Sequence, residues 1–129
     1  MKIALFADFH FSRPSDLEVL STLKRQMIAE NPDLVLFAGD YIGSHSLYDD
    51  VSRETVVKSL EALAFPKPAF AVLGNHDNWD SNEAWSDAFE GSSITLIENQ
   101  VDRITLNGQA ICIRGLGDIY SGYWKAVEF

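Results

Sequence analysis

Three short apolar runs, residues 2–7, 34–38 and 69–73, each stop at a polar cluster, and nothing else in the chain limits its fold as tightly. They read KIALFA, LVLFA and AFAVL, without the alternation of a half-exposed strand. Continuous apolar runs of this length are the pattern of strands covered on both faces of a parallel sheet. Amphipathic stretches separate them. Ser15 and Glu18 have capping-box spacing, and Leu17, Leu20, Lys24 and Met27 follow at helical spacing. Asn31-Pro32 should end that helix, because Pro32 disfavours helical backbone just before it. A second helix is expected from near Ser52 to about Ala64, with Val56, Leu60 and Leu63 on one face and Pro66 and Pro68 beyond its end. The order β-α-β-α-β predicts right-handed crossovers and a mainly parallel sheet.

After the third cluster the pattern changes. Residues 83–89 read as a short helix and 94–97 as a strand. Residues 103–106 and 109–114 flank Asn107-Gly108, a two-residue hairpin signal. The fold class is therefore α/β, a parallel core followed by a β-hairpin, and 129 residues suit one domain.

Composition narrows the function. The chain is 47% hydrophobic and 22% charged, as a folded globular protein is, and its formal net charge is −9. No clustered basic patch for nucleic acid is evident. An anionic substrate would need positive charge from outside the sequence, and a metal ion supplies it. The lone Cys112 rules out an intramolecular disulfide and reads as a core residue. Asp8 and His10 interrupt the first apolar run, which is too short to span a bilayer. The cytoplasm is the expected compartment.

In parallel α/β sheets ligands bind at the carboxyl ends of the strands. The clusters Asp8-Phe9-His10, Gly39-Asp40 and Gly74-Asn75-His76-Asp77 all fall at such ends, so Asp8, His10, Asp40, Asn75 and His76 should meet at one rim. Carboxylates, imidazoles and an amide oxygen suit a divalent cation. Each cluster alone has an ordinary reading as a solvated loop or a turn. Together, in this order and each closing a strand, they argue for a metal site.

The three clusters resemble the D-x-H, G-D and G-N-H-[D/E] motifs of the calcineurin-like metallophosphoesterases. Phe70-Ala71-Val72-Leu73 leading into Gly74, and Gly115-Leu116-Gly117-Asp118, resemble the bacterial branch of small phosphohydrolases in that superfamily. The resemblance implies a two-sheet α/β sandwich, two divalent metal ions (Mn, Fe, Zn or Ni) and hydrolysis of a phosphodiester or phosphomonoester. It implies that Asp8 and His10 bind the first metal, that Asp40 bridges both and that Asn75 binds the second. His76 would contact the phosphate and help protonate the leaving oxygen, and Asp77 would orient His76.

The family completes its metal set with later histidines, whereas this chain has only His10, His45 and His76. Residues 1–129 are thus expected to be a C-terminally truncated metallophosphoesterase domain, weakly active or inactive by itself. A missing C-terminal half or a second chain would complete the fold, and apolar surface would be exposed where the second sheet belongs. The alternative is a non-catalytic interaction module that keeps the fold. A dinucleotide-binding domain is disfavoured, since no Gly-x-Gly-x-x-Gly follows the first strand. The remaining candidates have plain readings. His45 reads as part of a solvated loop, with a place at the substrate rim as the alternative, and Asp49, Asp50, Glu54 and Glu61 read as a solvated face. Trp79 and Trp85 read as packing for a short helix, with stacking on a substrate base as the alternative. Tyr120, Tyr123 and Trp124 pack or contact the missing half.

Overall fold

Strands β1 (Ile3–Phe6), β2 (Leu34–Phe37), β3 (Ala69–Ala71) and β4 (Thr95–Leu96) form one sheet in the order β1-β2-β3-β4, and all its pairs are parallel. The structure is a computed structural model that describes residues 1–43 and 51–128; His45, Asp49 and Asp50 lie outside the described residues. Helices α1 (Val19–Glu30), α2 (Arg53–Ala64) and α3 (Asn75–Glu90) connect the strands. Strands β5 (Gln100–Leu106) and β6 (Gln109–Gly115) pair as an antiparallel hairpin about Asn107 and Gly108, both at positive φ, as a tight two-residue turn requires.

The helices form as their sequences direct. Ser52 caps α2 by accepting the Thr55 N–H at 3.0 Å, and Val56, Leu60 and Leu63 are buried along its inner face. Helix α1 ends at Asn31, which turns left-handed (φ 48°) and donates its N–H to the Met27 carbonyl. The start of α1 differs from expectation. Ser15 and Glu18 form no capping box; they lie in a 3-10 turn over Pro14–Glu18, where Asp16 accepts the N–H groups of Ser12 and Arg13. Pro14 at the turn's first position and an acid two residues on make the tighter turn the local solution.

Two apolar clusters sandwich the sheet. On one face Val35, Phe37, Ala69 and Ala71 pack against Val56, Leu60, Leu63, Trp85 and Phe89. On the other, Leu34 and Phe70 pack with Ile97 and with Ile104, Leu106 and Ile113 of the hairpin. Strands β2 and β3 are therefore covered on both faces, but β1 is not. Ile3 and Leu5 are paired with Leu34 and Leu36 on the hairpin side, yet remain 46% and 66% exposed. An unbroken apolar run cannot distinguish one-face from two-face coverage, so β1 corrects that expectation, while its open side agrees with the other one, that apolar surface is exposed where a second sheet belongs. Cys112 is likewise exposed rather than core, because strand alternation directs Ile113 inward and Cys112 outward. Glu61 is not merely solvated either, since it accepts the Ser93 N–H and hydroxyl at 2.9 and 2.8 Å.

Helix α3 starts earlier than its periodicity suggests. It begins at Asn75, so the third polar cluster is its first turn, and it is broken at Ser81 (φ −171°, ψ 107°). The Ser81 hydroxyl accepts the Ala84 N–H at 3.1 Å and caps the second segment. The break separates the two tryptophans. Trp85 is fully buried and donates to Asp80 at 2.9 Å, whereas Trp79 is 44% exposed and thus is not the packing residue the sequence suggested.

Candidate metal centre

The loops leaving β1 and β2 run side by side beyond the strands. Asp8 donates its N–H to the Gly39 carbonyl (3.0 Å), His10 to Asp40 (3.1 Å) and Phe11 to Tyr41 (2.8 Å). Phe11 and Ile42 then form a parallel bridge, so the loops are clasped at both ends. Asp8, His10 and Asp40 all have positive φ, at 59°, 51° and 56°. Non-glycine residues rarely adopt this region, and such backbone concentrates where side chains must be aimed at a site. Here it turns three polar side chains toward the same rim.

Asp40 is the centre of the group. The residue is only 8% exposed, and its carboxylate sits over the first turn of α3. One oxygen accepts the His76 N–H at 3.1 Å; the other lies 2.9 Å from His76 Nδ1 and 3.7 Å from His10 Nε2. The helix N-terminus favours this buried negative charge. His10 Nε2 is also 3.5 Å from an Asp8 oxygen, and the His10 and His76 rings meet edge to face at 5.0 Å. His10, Asp40 and His76 each offer a ligand atom within 4.8 Å of the other two. Two imidazoles and a carboxylate at this spacing fit a divalent cation, with Asp8 at the exposed side. Asn75 is half-buried at the head of α3, beside His76.

Asp77 departs from its expected role. It is fully buried, and it faces backbone amides rather than His76, whose Nδ1 faces Asp40. Its two oxygens accept the N–H groups of Asp40 (2.8 Å), Gly74 (2.9 Å), Tyr41 (2.9 Å) and Ile42 (3.4 Å). Burial pushes its carboxyl up to about 6, and these amide donors pull the other way without prevailing. Asp77 thus ties the loop after β2 to the start of α3. The only sequence signal for this was its place three residues after Gly74, where an acid caps a helix. Tyr41, fully buried beside it, extends the tie to the residue that follows β3 by donating its hydroxyl to the Val72 carbonyl at 2.6 Å.

Gly74 permits this approach. A Cβ there would overlap the Asp40 backbone N and carboxylate. Gly74→Ala is expected to displace the carboxylate, lower Mn affinity about tenfold and cost about 1–3 kcal/mol of stability. Calorimetric titration with Mn and urea unfolding measure the two effects; an unchanged Mn affinity would show that the glycine does not set the Asp40 position.

Comparison with known proteins agrees with this geometry. The family model described as calcineurin-like phosphoesterase matches residues 1–124. Phosphodiesterase YaeI of Escherichia coli is 31% identical over 128 residues, covering 96% of this chain and 46% of YaeI. The uncharacterized metallophosphoesterase YkuE of Bacillus subtilis is 29% identical over 94% of this chain and 42% of its own length. The putative metallophosphoesterase F40B5.2 of Caenorhabditis elegans is 28% identical, with 94% and 24% covered. This chain therefore spans less than half the length of each of these relatives, and the match runs through all three strand-end clusters. It belongs to the calcineurin-like phosphoesterase family.

Proposed function

We propose that the chain carries the metal-binding rim of a phosphoesterase that hydrolyses a phosphate ester, phosphodiester or phosphomonoester, through a dinuclear centre. The convergence of His10, Asp40 and His76 at the carboxyl edge of the parallel sheet carries this reading. In it Asp8, His10 and Asp40 hold the first ion, and Asp40 and Asn75 contribute to the second. Bound divalent ions supply charge to phosphate oxygens and make a water acidic enough to attack at neutral pH. With Nδ1 bonded to Asp40, His76 would present Nε2 to the leaving oxygen.

Residues 1–129 would then be one part of the metallophosphoesterase domain, with further ligands from a C-terminal half or a second chain. Turnover by the 129-residue chain should be low but metal-dependent. Titration calorimetry with Mn, alongside hydrolysis of bis(p-nitrophenyl) phosphate, tests this. Mn should bind, His10→Ala should weaken it, and EDTA should remove turnover. Mn binding indifferent to His10→Ala, or turnover indifferent to EDTA, would overturn the assignment. A second reading, a non-catalytic interaction module, draws on the open apolar face of Ile3 and Leu5 and expects no Mn binding.

A further inference from the structure

From His10 a row of aromatic rings leads out of the metal rim. His10 meets His76 edge to face at 5.0 Å, His76 meets Trp79 at 5.5 Å, and Trp79 meets Tyr120 at 5.7 Å. The two outer rings are open to solvent, Trp79 at 44% and Tyr120 at 78%. Both are nevertheless held by specific contacts. The α3 break at Ser81 keeps residues 75–80 at the rim as a separate helical segment, anchored by Asp80, which takes a bidentate pair from Arg53 at 2.7 and 3.0 Å.

The segment bearing Tyr120 is fixed from two sides. The buried Asn78 donates to the Ser121 hydroxyl at 2.9 Å, and Ser121 donates its N–H to Asp118. Asn99 accepts the N–H groups of Gly117 and Lys125 at 2.9 Å and donates to the Tyr123 carbonyl at 2.7 Å. Polar bonds on both flanks thus hold Tyr120 next to Trp79 while leaving its ring uncovered. Aromatic surface held in place beside the metal rim is thus open among the described residues, and such surface receives a ligand or a partner chain.

We propose that Trp79 and Tyr120 form a stacking shelf for the leaving group of the phosphate ester, and that the preferred substrates carry a planar aromatic or heteroaromatic group there. This inference rests on the phosphoesterase reading. With phosphate at His10, Asp40 and His76, a ring attached through the ester oxygen reaches the next aromatic ring in the row. The chemistry also suits a chain of net charge −9, because stacking adds affinity without requiring a cationic side chain.

Benzylphosphonate and ethylphosphonate, which cannot be hydrolysed, separate the claims by titration calorimetry on the Mn-loaded chain. Both should bind only with Mn, benzylphosphonate about tenfold more tightly. Trp79→Ala and Tyr120→Ala should each reduce that preference, Trp79→Phe should keep most of it, and Mn affinity should not change. Tyr120→Ala removes a ring that is 78% exposed, so it reports even if Trp79→Ala misfolds. A preference below about twofold, or one that survives both alanine variants, overturns the shelf alone. If neither phosphonate binds with Mn, the phosphoesterase reading falls and the shelf with it.

Discussion

Asp77→Ala is expected to cost about 3–5 kcal/mol of stability, a large part of the roughly 5–15 kcal/mol typical of a domain. The carboxylate accepts four backbone N–H groups, those of Asp40, Tyr41, Ile42 and Gly74, in a fully buried position. Alanine leaves those donors without an acceptor, and each buried orphan costs about 1–3 kcal/mol, with less than full additivity because the loops can relax. Relief of the buried charge offsets part of the loss, as the upward shift of the Asp77 carboxyl indicates. Asp77→Asn keeps one acceptor oxygen but points an NH2 at backbone donors, so it should fall between alanine and the parent. Urea unfolding at pH 7 gives the values. A loss under about 1 kcal/mol for Asp77→Ala would mean that water replaces the carboxylate and that the loops are held by the strands alone.

The role of Asp77 also marks the limit of what could be read from residues. The three strand-end clusters were legible because strands with polar carboxyl termini have few other arrangements, and the sheet does bring Asp8, His10 and Asp40 together. Which partner each side chain takes was not legible. His76 and Asp77 are adjacent in sequence, but the first turn of α3 sends His76 to Asp40 and Asp77 into the core. The sequence places this helix at residues 83–89, after the motif, since Asn75-His76-Asp77 looks like turn chemistry, and the break at Ser81 separates the first turns from the rest. The contact between Trp79 and Tyr120 had no sequence signal; it depends on hydrogen bonds from Asn78 and Asn99 to a distant segment. At β1 the apolar run specifies a strand, but the cover over Ile3 and Leu5 depends on where the hairpin lands.

Asp40→Asn should produce the complementary result, with the fold retained and metal binding lost. The Asp40 side chain is bonded within the site, to the His76 N–H and Nδ1, while its backbone N–H supplies the link to Asp77. Asparagine keeps that backbone link and one oxygen for the His76 N–H, and its NH2 can donate to a neutral His76 Nδ1. Stability should therefore change by less than about 1 kcal/mol. The metal loses more. A carboxylate offers two anionic oxygens, enough to serve two ions, whereas the amide offers one neutral oxygen. Loss of an outer-shell partner already lowers metal affinity about 10–100-fold, so replacing the central ligand should weaken Mn binding by at least about 100-fold. Calorimetric titration with Mn and urea unfolding on the same preparation test both halves. Mn affinity within about threefold of the parent would show that the ion is held without Asp40, and the bridging role would have to be abandoned. Paired with Asp77→Ala, the variant separates two functions, because the Asp77 carboxylate holds the loops in place and the metal-binding role proposed for Asp40 depends on that placement.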